Sequence, residues 1–251
     1  MSSRACKEYL CPHCGELVKV VKGPGGILLR GFCQCAGAVE ERRQRDRKVA
    51  QEKARRIQDQ ILFRKGKAGL VGRLTEMTFE RFEAEYQPEA YKTVLEFTGE
   101  NGASLILWSE GYGTGKTHLA VAILHRWIEE GGNGRSCHVP SFLRRIRGTF
   151  GPEPKESEDA VLRDIENTGL LVLDDLGKEK HSKWQEMTIY TLIDHRYTRL
   201  LPTVITMNLK PVELEGRIGS ASVSRLLEVA EFVRLEGEDY RYRLRKMRGN
   251  G

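Results

Sequence analysis

The chain has 251 residues, room for one medium domain and a small appendage, and 39% hydrophobic with 30% charged residues is a globular composition. No run of eighteen or more apolar residues occurs, which excludes a membrane-spanning helix, and the opening MSSRACKEYLCPHCG lacks the apolar core of a signal peptide. The expected location is the cytoplasm. The net charge is +6, and six cysteines, five of them within the first 35 residues, are too clustered for a secreted disulfide framework.

The first element is a metal knuckle. Cys11 and Cys14 form a C-x-x-C and Cys33 and Cys35 a C-x-C, so two short turns each offer two thiolates to a tetrahedral Zn²⁺. Between them ELVKVVK alternates as a strand, GPGG turns the chain and ILLRGF returns, which predicts a hairpin. So short a segment buries too little apolar surface to fold alone, which gives the metal a structural role. His13 points away from a site built from its neighbours and is left out. Cys6 is an alternative ligand, and four free thiols are the alternative state. A closed four-thiolate site has no open position for catalysis.

A basic linker follows. Residues 40–67 carry 11 basic and 5 acidic side chains, a surplus of +6 that matches the whole net charge. Two readings stand here: contact with an acidic partner, nucleic acid first, or a solvated helix whose charges only keep it soluble. The expected domains are therefore 1–38 (zinc module), 39–69 (basic helical linker) and 70–251.

Within the third domain, ASLILW reads as a buried strand and THLAVAILHRWIEE as a helix with Leu119, Ala120, Ile123, Leu124, Trp127 and Ile128 on one face, stopped by Gly131 and Gly132. The loop between them, SEGYGTGKT, ends as a phosphate-binding loop ends, although Glu110 stands where the pattern G-x-x-x-x-G-K-[ST] begins with glycine. Gly111, Gly113 and Gly115 are expected to take positive φ and turn their amides inward toward the β-phosphate at the helix N-terminus. Lys116 would neutralise the β- and γ-phosphates, and the Thr117 hydroxyl would ligate Mg²⁺. Gly111, Tyr112, Gly113, Thr114, Gly115, Lys116, Thr117 and His118 form the expected ATP-binding set, His118 being held by packing and backbone.

PSFLRRIRGTF (140–150) places Arg144, Arg145 and Arg147 near Phe142 and Phe150, a pattern suited to tracking and stacking single-stranded DNA; the competing reading puts those aromatics in the core. TGLLVLDDLG (168–177) then runs apolar into Asp174 and Asp175: Asp174 is expected to hold Mg²⁺ through water, and Asp175 to polarise the attacking water. KWQEMTIYTLIDHRY reads as a helix with Met187, Ile189, Tyr190, Leu192 and Ile193 in the core. PTVITMNL is a third buried strand with Asn208 at its tip, placed to orient the lytic water. The histidines His125, His138, His181 and His195 do not cluster with an acid and a nucleophile in sequence, so no catalytic triad is implied.

With these motifs the chain resembles the DnaC/DnaI/IstB-like group of AAA+ ATPases. The carrying residues are TFERF (78–82), EGYGTGKTHLAVAI (110–123), LLVLDDLG (170–177), VITMNL (204–209), VSRLLE (223–228) and GEDYR (237–241). The cysteine-rich front resembles that of helicase loaders of the DnaI/DnaC kind. The resemblance implies a P-loop AAA+ α/β domain with a central parallel sheet and little or no helical lid. It implies Asn208 as the sensor 1 residue and Arg225 as an arginine finger reaching a neighbour's ATP, hence self-association through the ATP sites. Arg241 would be the sensor 2 arginine in its own subunit. Catalysis would then rest on Lys116, Asp175, Asn208, Arg225 and Arg241, with ATP and Mg²⁺ as cofactors and Zn²⁺ in the front module. Many relatives have Glu where Asp175 stands, so slow, DNA-stimulated hydrolysis is expected. The implied function is loading of a replicative helicase hexamer onto single-stranded DNA. The alternatives are an ATPase helper of a transposase, which would prefer duplex DNA, and a zinc-dependent DNA-binding regulator.

Overall fold

The computed structural model describes residues 8–24, 28–29, 31–178 and 182–249; Cys6, His181 and half of the GPGG turn lie outside the described residues. The chain divides into two compact units, residues 1–60 and 61–251, each with a core of its own. No helix of the described residues is long and apolar enough to cross a membrane.

The first unit keeps the expected antiparallel pairing of ELVKVVK with ILLRGF and adds a second short ladder before it. Strand β1 (Tyr9–Leu10) pairs antiparallel with β2 (Leu17–Val18), and β3 (Val21–Lys22) with β4 (Leu28–Leu29). The C-x-x-C turn reverses the chain between β1 and β2: Gly15 takes φ 74°, its amide donates to Cys11 O at 2.8 Å, and the Cys11 amide donates to Glu16 O at 2.8 Å. ELVKVVK is thereby shared between two partners. The core is small, with Cys11, Val18 and Cys33 buried and Tyr9, Cys35 and Ala38 packed against them. Helix α1 (Ala36–Lys67) starts directly after Cys35 and has no buried residue in its 32.

The second unit is a three-layer α/β/α arrangement. Its elements run α2 (Pro88–Glu96), β5 (Ser104–Trp108), α3 (Lys116–Glu129), β6 (Gly134–His138), α4 (Val139–Gly148), α5 (Glu158–Glu166), β7 (Leu170–Leu176), α6 (Lys183–Thr198), β8 (Thr203–Met207), α7 (Glu215–Ile218), α8 (Ser220–Val229), β9 (Ala230–Arg234) and α9 (Tyr240–Gly249). All the strand pairs are parallel, in the order β6-β7-β8-β5-β9. Parallel strands covered on both faces read as continuous apolar runs, which is why SLILW, LLVL and TVITM were legible as strands. Successive residues alternate between layers: Leu105 and Leu107 pack with α2 and α3, and Ile106 with the layer of α4, α5, α6 and α8. Between β5 and β8 the strand order reverses, and a parallel sheet opens a ligand crevice beyond the strand C-termini at such a point.

Met187, expected in the core, is 63% exposed; α6 buries Gln185, Thr188, Ile189, Leu192, Ile193 and Arg196 instead. Arg196 is 1% exposed and has no carboxylate partner among the described residues. Its guanidinium donates to the carbonyls of Ile165, Glu166, Thr168, Gly169 and Pro202 and to Thr203 Oγ1, at 2.6–3.4 Å. Arginine's planar fork suits this task, closing the turns that enter β7 and β8. Burial pushes its pKa down to about 10. Arg196→Met, similar in length but without donors, leaves those carbonyls unpaired and is expected to lower stability by about 3 kcal/mol or more. Urea unfolding checks this; an unchanged midpoint would show that water replaces the guanidinium.

Candidate nucleotide site and cysteine cluster

The loop from Ser109 to Gly115 joins β5 to α3 at the crevice. Gly113 (φ 67°) and Gly115 (φ 97°) take the left-handed conformation, whereas Gly111, expected to do the same, does not. A Cβ on Gly115 would meet the Phe82 ring at 2.7 Å, and one on Gly113 would collide with the Asp239 carboxylate. Both positions therefore need glycine for two reasons, backbone sign and space. Glu110 is exposed and turned outward, 3.3 Å from Lys210 Nζ and 3.9 Å from Arg234. It leaves the cradle clear.

Lys116 is buried at the first position of α3, and its Nζ donates to Ser109 Oγ (2.5 Å), Gly111 O (2.9 Å) and Thr114 Oγ1 (3.2 Å). Desolvation is the largest influence on it and lowers its pKa to about 8, against the pull of Asp175 and Asp174. Thr117 Oγ1 donates to Asp174 Oδ1 at 2.7 Å, so the two residues expected at Mg²⁺ are already side by side. Their oxygen donors fit a hard divalent cation. Thr206 Oγ1 donates to the same Asp174 oxygen at 2.7 Å and accepts from the Asp175 amide at 2.9 Å. Asp175 lies where the β7–β8 register shifts, at φ 62°, a conformation rare for residues other than glycine. Its carboxylate faces Asn208 Nδ2 (3.3 Å), Lys178 Nζ (3.1 Å) and His138 Nε2 (3.5 Å). Asn208 Oδ1 is buried without a partner, an acceptor free for a water or substrate proton.

Lys116, Thr117, Asp175, Lys178 and Asn208 line a cleft of about 270 Å³ that also includes Met77, Phe82, Tyr86, Tyr112, His118, Tyr240 and Arg241, with Asp174 behind Thr117. His118 is held by Thr78 O (2.8 Å) and lies edge-on to Phe82, the packing role expected for it. Arg241 faces the cleft because Asp239 caps the start of α9, accepting from the Arg241 amide at 2.9 Å. Arg225 is elsewhere: on α8 it pairs with Asp194 (2.6 Å), bonds Tyr190 Oη (3.1 Å) and stacks on the Tyr190 and Tyr197 rings, outside the lining of its own cleft.

Sequence reasoning missed three residues here. Thr206 is hidden inside an apolar strand, with only its hydroxyl as a signal. His138 ends β6, whose sequence GRSCH gives no strand signal, and only the pairing of His138 with Asp174 in the sheet brings it to the acids. Gln87 is buried, donates to Thr114 O (3.4 Å) and accepts from the Glu236 amide (3.2 Å), tying the loop to the chain leaving β9; a polar residue before Pro88 was the one hint.

The stretch 140–150 departs from a single-strand stacking surface. Phe142 is 5% exposed in the core of α4, where the helix period buries it with Leu143 and Ile146. Arg145 is taken by Glu156 (2.6 Å) and Asp164 (2.9 Å), and Arg147 lies over the Trp184 ring. Arg144 and Phe150 remain exposed.

In the first unit the four thiols of Cys11, Cys14, Cys33 and Cys35 lie within 4.8 Å of one another. Cys14 to Cys33 is 3.4 Å and Cys11 to Cys35 is 3.7 Å, close to the roughly 3.8 Å edge of a tetrahedron built on Zn–S bonds of about 2.3 Å. The His13 and Cys14 amides aim at Cys11 and help to lower its pKa to about 6, while the crowding of the thiols pushes Cys14 up to about 12 and Cys33 up as well. The donor set fits Zn²⁺. His13 is turned away to Glu41 (2.9 Å), and a Cβ on Gly37 would strike its ring at 2.8 Å.

Two outcomes follow from this geometry. A phosphate binds charged Lys116, so above pH 8 binding must take up a proton; nucleotide affinity should be level below pH 8 and fall about tenfold by pH 9. Anisotropy titration of a fluorescent ATP analogue reads this, and a flat profile would mean that the lysine stays charged. Cys14→Ser should lose a stoichiometric zinc and open the first unit to trypsin at Lys19 and Lys22, whereas a wild-type chain without zinc by elemental analysis would refute a metal-held fold.

The profile of the IstB-like ATP binding protein family matches residues 43–248. The replicative helicase loader DnaC of Escherichia coli K12 is 30% identical over 174 residues, 66% of this chain and 70% of that protein. The replicative helicase loader DnaI of Bacillus subtilis is 29% identical over 154 residues, 56% of this chain, and the match spans about half, 48%, of its length. A crystal structure of the DnaC helicase loader superposes with a TM-score of 0.58 at 28% identity, covering 66% of this chain and 100% of that one. AMPPCP-bound DnaA from Aquifex aeolicus shares the fold, with a TM-score of 0.56 at 20% identity over 69% of this chain and 54% of its own. The parallel sheet, the loop on its crevice and these likenesses lead to one placement: the chain belongs to the IstB-like ATP binding protein family, with a P-loop AAA+ domain behind an N-terminal cysteine cluster.

Proposed function

We propose that the protein is an ATP-dependent loader of a replicative helicase onto single-stranded DNA. The observation that carries the reading is the cleft in which Lys116, Thr117, Asp174, Asp175, Asn208 and Arg241 converge, on a chain similar to two helicase loaders. ATP enters with its phosphates on the loop amides and Lys116. Thr117 and Asp174 would hold Mg²⁺, which would supply charge neutralisation at the phosphates. Asp175 and Asn208 position the attacking water, and Arg241 meets the γ-phosphate. Arg225, absent from its own cleft, serves a neighbouring subunit's ATP, so the active form is an oligomer. The zinc-held first unit grips the helicase, and hydrolysis or nucleotide loss releases the loader.

The decisive measurement is co-elution with the cognate helicase hexamer, for the full chain and for a chain lacking residues 1–60. Co-elution of the full chain alone supports docking through the first unit; co-elution of neither sinks the loader reading and turns the search to transposase partners. Lys116→Ala should abolish DNA-stimulated turnover, a loss of roughly a hundredfold or more. Arg225→Ala should lose turnover yet keep nucleotide affinity, and a loss of affinity instead would refute a role in trans.

A further inference from the structure

Both oxygens of the Asp175 carboxylate are engaged. Oδ1 accepts from Asn208 Nδ2 at 3.3 Å, and Oδ2 accepts from Lys178 Nζ at 3.1 Å with His138 Nε2 3.5 Å away. These neighbours are not equally fixed. His138 sits in the sheet at the end of β6, and its other ring nitrogen is tethered to Ser141 Oγ at 2.9 Å. Asn208 is half-buried just beyond β8. Lys178 has a half-exposed side chain on a long flexible stem, and among the described residues Asp175 is its one polar partner.

Gly177 brings that lysine back. At φ 81° the chain folds over directly after β7, and a Cβ there would meet Leu209 Cδ1 at 2.5 Å. The ammonium of a residue three positions beyond Asp175 is thereby returned to the cleft that Lys116, Thr117 and Arg241 also line. An acid meant to accept from a water thus has a mobile cation on one of its two oxygens. An ion pair that merely fastened the turn would not need to stand inside the nucleotide cleft.

We propose that Lys178 binds the γ-phosphate of the nucleotide, giving up Asp175 to do so, and that this exchange lets the site tell ATP from ADP. A terminal phosphate offers three acceptor oxygens and more than one negative charge, against the single charge of the carboxylate, so the ammonium gains by moving. Asp175 keeps its place when the lysine leaves, because its amide is bound to Thr206 Oγ1 and its Oδ1 to Asn208. Oδ2 then has a lone pair open to the attacking water. ADP has no third phosphate, so with ADP the lysine stays on Asp175 and the acid stays engaged. The proposal rests on the reading of the cleft as an ATP site and adds to it a cation outside the phosphate loop.

The test is competition of AMPPCP and of ADP, each with Mg²⁺, against a fluorescent ATP analogue on the full chain. It is run at about 0.15 M salt, where exposed charges more than about 8 Å apart are largely screened. Lys178→Met, unbranched and uncharged at a surface position, should weaken AMPPCP about tenfold and leave ADP within about twofold. Circular dichroism verifies its fold. Arg81→Gln removes another cation that lines the cleft, one paired with Glu76, and should leave the ratio of the two affinities unchanged. Equal losses for both nucleotides in Lys178→Met would reduce the lysine to a fastener of the turn and overturn the proposal. So would an unmoved ratio, or the same fall in Arg81→Gln, which would trace the effect to the general field of the cleft. A wild-type chain that binds neither nucleotide sinks the ATP reading and this proposal together, whereas binding with an unmoved ratio sinks this proposal alone.

Discussion

One carboxylate oxygen holds the nucleotide cleft together. Asp174 Oδ1 receives hydroxyl protons from Thr117, at the head of α3, and from Thr206, near the end of β8, while Thr206 also accepts the Asp175 amide. Three segments distant in sequence are thus fixed to one point, and each hydroxyl acts in a defined direction. The loop, Asp174 and Asp175 cannot move independently of that point. Thr206 does this from a fully buried position, where its hydroxyl would be a liability without both partners.

Much of this was readable because the relevant signals are local. Buried parallel strands are unbroken apolar runs, a phosphate loop needs glycines at fixed offsets, and paired cysteines announce a tetrahedral site by spacing alone. What stayed hidden depends on neighbours across the sheet or on which side of an element faces inward. His138 reaches Asp175 only through the register of β6 on β7. Arg196 looks like any helical arginine until α6 is laid against the turns before β7 and β8. Phe142 and Arg145 have the composition of a nucleic-acid surface, but helix phase sends one to the core and two acids claim the other. At the front, ELVKVVK and ILLRGF pair as their pattern suggests, whereas the ladder of β1 with β2 stayed hidden because strands of two residues carry too little pattern to fix a partner.

The two units are held by different means. The second buries a continuous apolar core on both faces of its sheet. Among the described residues the first has three buried core residues, two of them cysteines, so its cohesion comes down to the thiol quartet. Helix α1 has no buried residue at all, and its persistence rests on helix-forming composition.

The left-handed backbone at Asp175 bears on which residues can occupy that position. Aspartate and asparagine visit this conformation several-fold more readily than longer side chains, because their short polar groups bond locally. The bulge between β7 and β8 in this chain favours the shorter acid on backbone grounds alone. Lengthening the carboxylate there would trade reach toward the phosphate against conformational strain. The choice of acid is thus tied to the shape of the strand that presents it, and a change in either calls for a change in the other.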